Sequence, residues 1–468
     1  MPLLNPNRLF PTENRTRDLA RGLYQSIENL PIISPHGHCD PRWFAENQRF
    51  PNPAELFVVP DHYAFRMLVS RGVTMEDLSI PRNDGAEGIV DPKEVWRSLA
   101  KNFHLFRGTP TSMWLEHSFE QVFGIDVALS AETADFYYET IDKKLASPDF
   151  LPRALFERFN IEVLSTTESA LDDLKWHKQI SASGWDGRIV TTYRPDAVVD
   201  PEFEGFTQNV SALGDLTGED VSSWIGYLRA HRVRREFFKQ HGATASDHGH
   251  LTANTADLSK VDAEELYSKV VSGKASATEA DLFRGQMLTE MARMSLDDGL
   301  TLQIHAGSRR NHHAGVLSVY GRDKGFDIPG RTDYVEALQP LLNTVGFEPG
   351  LKIILFTLDE TTYSRELAPL AGAYPCLLLG PPWWFFDSYE GIKRFRETTT
   401  ETCGFYNTAG FNDDTRAFCS IPARHDVARR SDCAYLANLV ATGRLREDEA
   451  YQVAYDLTYK LAKDAYNL

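Results

Sequence analysis

Short apolar runs rich in β-branched residues recur along this chain, each followed by a longer segment of helical pattern. The clearest are Pro31 to Pro35, Ile161 to Thr166, Arg188 to Tyr193, Thr301 to His305, Lys352 to Thr357 and Cys376 to Leu379. Ala243 to Ser246 and Phe405 to Phe411 are weaker. Strands covered on both faces read as near-continuous hydrophobic runs, and their alternation with helices builds parallel sheets. About eight such units fit a closed barrel better than an open doubly wound sheet. No glycine-rich dinucleotide fingerprint follows the first run. The expectation is an α/β fold, a distorted (β/α)8 TIM-type barrel. With 468 residues, 42% of them hydrophobic, the chain can bury a core of that size.

The first two runs are far apart. Ala54 to Val73 and Ala131 to Phe159 between them are helical in pattern, and Pro51-Asn52-Pro53 and Gly108-Thr109-Pro110 break the stretch into pieces. Residues 41–155 therefore read as a mainly helical insertion in the first βα loop, on the catalytic face of the barrel. Residues 1–30 read as an N-terminal segment packing on the barrel, and residues 31–468 as the barrel domain itself. Asp257 to Gly285 is polar and helix-prone, suited to the outside. Asp359 to Leu370 and Asp387 to Arg396 open on acidic residues, as helix N-termini prefer.

A net charge of −17 argues against nucleic acid, because phosphate binding needs basic surface. The five cysteines are scattered, with no pair at two-residue spacing; this suits a reducing cytoplasm. Met1 to Arg17 lacks the apolar core of a signal peptide. No run approaches the ~20 apolar residues of a membrane span. A cytoplasmic protein without a membrane partner is expected, with homo-oligomer formation left open.

The first run ends in His36-Gly37-His38. Side chains alternate along an extended chain, so the two imidazoles point the same way and can share a divalent metal. Further polar clusters end the later runs: Tyr193-Arg194-Pro195-Asp196, Ser246-Asp247-His248, His305 with Arg309 and Arg310, Trp383-Trp384, and Asp413-Asp414-Thr415-Arg416. Strand ends in a barrel converge on one mouth. Two nitrogens and a carboxylate suit zinc or manganese, and Asp414 is the best carboxylate candidate. Beside a metal it stays ionised and can move a proton. Tyr63, within Asp61-His62-Tyr63, is a second acid/base candidate. Arg194, Arg309 and Arg416 offer planar donors for a substrate carboxylate. Each feature also has a structural reading: His305 as a core histidine, the tryptophans as packing, Asp413 and Asp414 as a helix start.

Taken as an ordered set, these motifs resemble the uronate isomerase (glucuronate isomerase) family of the amidohydrolase superfamily. The resemblance runs from about His36 to Arg429 and includes His36-Gly37-His38, Asp61-His62-Tyr63 with Arg66, Gly108-Thr109-Pro110-Thr111 with Trp114-Leu115, Leu164 to Thr167, Tyr193-Arg194-Pro195-Asp196, Ser246-Asp247-His248-Gly249, His305 with Arg309, Trp383-Trp384-Phe385 and Asp414-Thr415-Arg416. It implies a distorted (β/α)8 barrel and one divalent metal, zinc by family, held by His36, His38 and Asp414. It implies interconversion of D-glucuronate with D-fructuronate, and of D-galacturonate with D-tagaturonate, within hexuronate catabolism. Active-site roles carry over to His62, Tyr63, Arg194, Asp247, His305, Trp383 and Arg416. Ser34 and Cys39 depart from the family's usual aspartate and leucine. The last motif reads Asp-Thr-Arg-Ala-Phe where Asp-Ser-Arg-Ser-Phe is more usual. These leave the ligands intact and bear on fine substrate preference.

Such an isomerisation needs a base for the C2 proton, return of that proton to C1, and stabilisation of a cis-enediol. Asp414 or Tyr63 is expected to shuttle the proton. His305, Asp247 and His62 assist ring opening or transfer between oxygens, and Arg194, Arg309, Trp383 and Arg416 hold the hexuronate. The alternatives are a metal-dependent hydrolase of the same superfamily, with Asp414 activating a metal-bound water, and a non-catalytic sugar-acid binding protein.

Overall fold

In the computed structural model of this chain, residues 3–86 and 90–468 are described. The first two positions of the N-terminal segment and positions 87–89 of the expected insertion lie outside the described residues. Seven strands form one sheet: β1 (Ile32–Ser34), β2 (Ile161–Ser169), β3 (Arg188–Arg194), β4 (Ala245–His248), β5 (Thr301–His305), β6 (Ile353–Phe356) and β7 (Leu377–Leu379). Their order across the sheet is their order in the chain, and every neighbouring pair is parallel. Helices make each crossover, as parallel pairing requires. The apolar runs behave as both faces being covered demands: all four residues of β6 are buried.

The expected eighth strand is where the structure departs from a regular eight-stranded barrel. Phe405 to Phe411 contributes only one parallel bridge, Thr408 to Leu379. Gly410 ends the extended stretch: its φ is +73°, and a Cβ there would sit 2.8 Å from the amide nitrogen of Ala462. The chain then returns to the first strand, and the amide of His38 donates to the carbonyl of Thr415 at 3.1 Å. The sheet thus curls until the segment after its last strand lies beside its first, joined there by irregular backbone.

The C-terminal residues fill the end of the curl opposite the site. Thr301 donates from Oγ1 to the carbonyl of Ala465 (2.8 Å), and Tyr466 donates to Gln303 Oε1 (3.0 Å). Ala462 packs with Ile33, Val163 and Val190. Between β1 and β2 lie helices including Pro41–Glu46, Pro53–Phe57, His62–Val69, Pro92–Lys101, Pro110–His117, Ala134–Leu145 and Pro152–Arg158. Four of them start with proline behind a capping Asp40, Asn52, Asp91 or Thr109, which satisfies orphan amides and presets the first turn. They share an apolar cluster around Phe57, Trp96, Phe119 and Tyr137, continuous with Ile161 and Leu164 of β2. Fully burying a side chain of this size contributes roughly 1.5–3 kcal/mol. The N-terminal helix Asn14–Ile27 packs Ala20, Leu23 and Ile27 against Cys433, Leu436 and Ala437 of the long helix Ile421–Ala441. Among the described residues no helix is long and apolar enough to cross a membrane.

Candidate active site

The C-terminal strand ends open into a cavity of about 340 Å³, within the size range of small-ligand sites. His36 and His38 follow β1 directly. Their Nε2 atoms lie 3.5 and 3.2 Å from Oδ1 of Asp414. Asp414 has φ of +39°, a conformation that non-glycine residues adopt at a cost and that clusters at functional sites. Burial pushes the His36 imidazole down to about 3, so its ring is neutral near pH 7 with a lone pair free. Burial alone would raise the Asp414 carboxyl, but the adjacent imidazoles, His36 foremost, outweigh it and hold the group well below the usual range. Two imidazole nitrogens, that of His36 held neutral, and an ionised oxygen are the donor set a borderline divalent cation takes.

A second polar group touches the first. His305, at the end of β5, donates from Nδ1 to Asp247 Oδ1 of β4 at 2.6 Å. Its ring stacks on His36 and Phe356, and Trp383 meets it edge-on. With Nδ1–H committed to the carboxylate, Nε2 is left as the acceptor, and that atom has no hydrogen-bond partner among the described residues. Arg194, the last residue of β3, sets Nη1 2.9 Å from Asp247 Oδ2 and Nε 2.8 Å from Asp196 Oδ2. Burial works against ionisation of Asp247, and Arg194 more than reverses it.

Helix His62–Val69 brings His62 and Tyr63 over the cavity, with Asp61 as its cap at 2.8 Å. Burial, reinforced by Arg416 and Arg66, lowers the His62 imidazole to about 3. Tyr63 donates to Asp387 Oδ2 at 2.6 Å. Burial first, then Asp387, drives its phenol far above its ordinary range. Asp387 also accepts from Arg424 at 2.6 Å, whose guanidinium lies 3.6 Å over the Trp114 ring. The phenol is thereby tied into a buried chain, which removes the argument for it as a base. Arg416 reaches Asp323 at 3.3 Å, and Trp383 and Trp384 form one wall.

Of the residues expected here, His36, His38, His62, Tyr63, Arg194, His305, Trp383, Asp414 and Arg416 line the cavity, and Asp247 lies directly behind His305. Arg309 is the correction. It is exposed in a two-residue ladder with Ile328, and its neighbour Arg310 lines the cavity instead. One step along an extended segment reverses side-chain direction. Asp323, Asp387 and Arg424 were not anticipated; no local pattern marks them, because they act through partners distant in sequence.

A parallel α/β enzyme is defined by these features, with a cation-type donor set and arginines gathered at the strand ends. A family model described as glucuronate isomerase matches residues 12–466. A uronate isomerase of Rhizobium meliloti (strain 1021) is 62% identical over 466 residues, covering 100% of this chain and 99% of the relative. The crystal structure of glucuronate isomerase from Caulobacter crescentus is similar with a TM-score of 0.98 at 57% identity, covering 100% of this chain and 98% of that one. That of uronate isomerase from Thermotoga maritima gives 0.92 at 29% identity, covering 99% of each chain. The chain belongs to the glucuronate isomerase family.

Proposed function

We propose that the protein interconverts D-glucuronate and D-fructuronate, and D-galacturonate and D-tagaturonate, in hexuronate catabolism, by proton transfer through a cis-enediol. The observation that carries this mechanism is the contact between two acid–base systems, Asp414 with His36 and His38, and His305 with Asp247. His36, His38 and Asp414 fit one divalent cation, zinc by donor set, because the imidazole of His36 is held neutral and the carboxylate ionised. When bound, such a cation supplies Lewis-acid polarisation of sugar oxygens.

The chain's own groups do the rest. Arg416 and Arg194 receive the uronate carboxylate and neighbouring hydroxyls, and Trp383 walls off water from the sugar's apolar face. Asp414 removes the C2 proton while the C1 oxygen gains charge. His305 Nε2 takes the O2 proton and delivers one to O1, with Asp247 stabilising the transient imidazolium. Asp414 then returns its proton to C1, which completes the ketose. His62, kept neutral, assists opening of the sugar ring.

The seven strands with the Thr408 bridge are best counted as a distorted (β/α)8 barrel with residues 41–155 inserted after its first strand. A cytoplasmic setting agrees with five free, buried thiols. Incubating the purified protein with glucuronate, beside a panel of amides and esters, tests the reading. Ketose should form and the panel remain intact; hydrolysis without ketose overturns it.

A further inference from the structure

His36-Gly37-His38 has a counterpart in the chain. His248-Gly249-His250 ends β4 much as the first triplet follows β1. Of the second triplet only Gly249 lines the cavity. His248 and His250 are 0% and 2% exposed, and none of their four ring nitrogens has a hydrogen-bond partner among the described residues. A neutral imidazole carries one donor and one acceptor, and buried polar groups in folded proteins are nearly always paired. Two adjacent rings failing on all four atoms therefore ask for a ligand.

The third member is Asp196. One ligand atom each from Asp196, His248 and His250 lie within 4.8 Å of one another. Asp196 Oδ2 takes Arg194 at 2.8 Å, both carboxylate oxygens accept from the Gly249 amide at 3.1 and 3.2 Å, and Oδ1, with a lone pair left, lies 3.8 Å from Nε2 of His250. The guanidinium groups nearby do not close the site. Arg194 is held by Asp196 and Asp247, and Arg310 faces Asp327 at 3.3 Å. Gly249 is required for this packing, since a Cβ there would sit 2.2 Å from Nη2 of Arg194.

We propose that Asp196, His248 and His250 form a second divalent-cation site, behind the wall of the catalytic cavity that Asp196 and Gly249 line, for a borderline ion of the zinc or cobalt class. Its role is positioning: a cation on Oδ1 fixes the carboxylate whose other oxygen aims Arg194 at Asp247.

Chelator-stripped full-length protein titrated with Co²⁺, read by d–d absorption and by metal analysis after desalting, tests this. Wild type should take up two equivalents, His250→Gln one, and the His36→Asn/His38→Asn double variant one, held with the spectrum of a histidine-ligated ion. A single equivalent in the wild type that the double variant loses, or none in the double variant, overturns the proposal. Should His250→Gln not fold by circular dichroism, the double variant decides, since its second triplet is intact. Two ordered waters pairing the rings would give the zero-equivalent result.

Discussion

Oδ1 of Asp414 lies 3.5 Å from Nε2 of His36, across the seam where the first strand meets the chain beyond the last. The left-handed backbone at Asp414 turns its carboxylate toward both histidines rather than along the strand. His36→Asn and Asp414→Asn should each therefore lose one equivalent of tightly bound metal relative to wild type. Metal analysis of chelator-washed protein checks this. Full retention by both variants would remove the shared site.

Asp414 and Tyr63 are separated by their surroundings as proton carriers. Asp414→Asn should lower kcat by the 10²–10⁴ typical of lost acid–base catalysis. Tyr63→Phe should cost less than about tenfold, since the phenol serves Asp387. Turnover in heavy water should place deuterium at C1 of the fructuronate. Quantitative retention of the original C2 hydrogen over many turnovers, together with an active Asp414→Asn, would contradict the proton shuttle.

Charge recognition sets specificity. Among the described residues Arg416 pairs only with the half-exposed Asp323, at 3.3 Å, an anion that a substrate carboxylate can replace. Losing a charge-assisted hydrogen bond costs about 1.5–3 kcal/mol, so Arg416→Met should raise KM for glucuronate by roughly 10- to 100-fold. Glucose should be a very poor substrate for the wild type. Comparable turnover of glucose and glucuronate would contradict this assignment.

The Arg424–Asp387 pair is nearly sealed, with the two side chains 3% and 10% exposed. Removing one partner strands a buried charge, which typically costs 3–5 kcal/mol. Arg424→Met should shift the denaturant midpoint down by a corresponding amount. An unchanged midpoint would mean that Asp387 finds water or a proton at little cost.

Glu168 gives a pH prediction of opposite sign to the usual carboxylate. Burial raises its pKa to about 8 against the partial opposition of Thr166 and Thr191. Above about pH 4.5 the unfolded chain ionises this group and the folded chain does not, so the unfolded state binds fewer protons and stability falls as pH rises toward 8. Glu168→Gln should remove that slope. The variant should exceed wild type at pH 8 by on the order of a few kcal/mol, with the gap closing near pH 4.5. Denaturant melts at the two pH values decide it.

The sequence alone determined the parallel strands and most of the site's residue types, because both are local. Ile353 to Phe356 is covered on both faces and apolar throughout, and His36-Gly37-His38 announces its chemistry by spacing. Three things waited for tertiary structure. The eighth segment, Phe405 to Phe411, is reduced to the Thr408 bridge, and Gly410 leaves it at φ +73° beside Ala462, a contact made by the far end of the chain. Arg310 replaced Arg309 because direction in a short ladder is set by its pairing partner, which the spacing does not encode. Tyr63 changed from a proposed base to a pinned donor because Asp387 and Arg424 reach it from other elements. Residue identity sets which chemistry is available. Burial and long-range partners set each group's protonation and direction, and those exist only once the chain is folded.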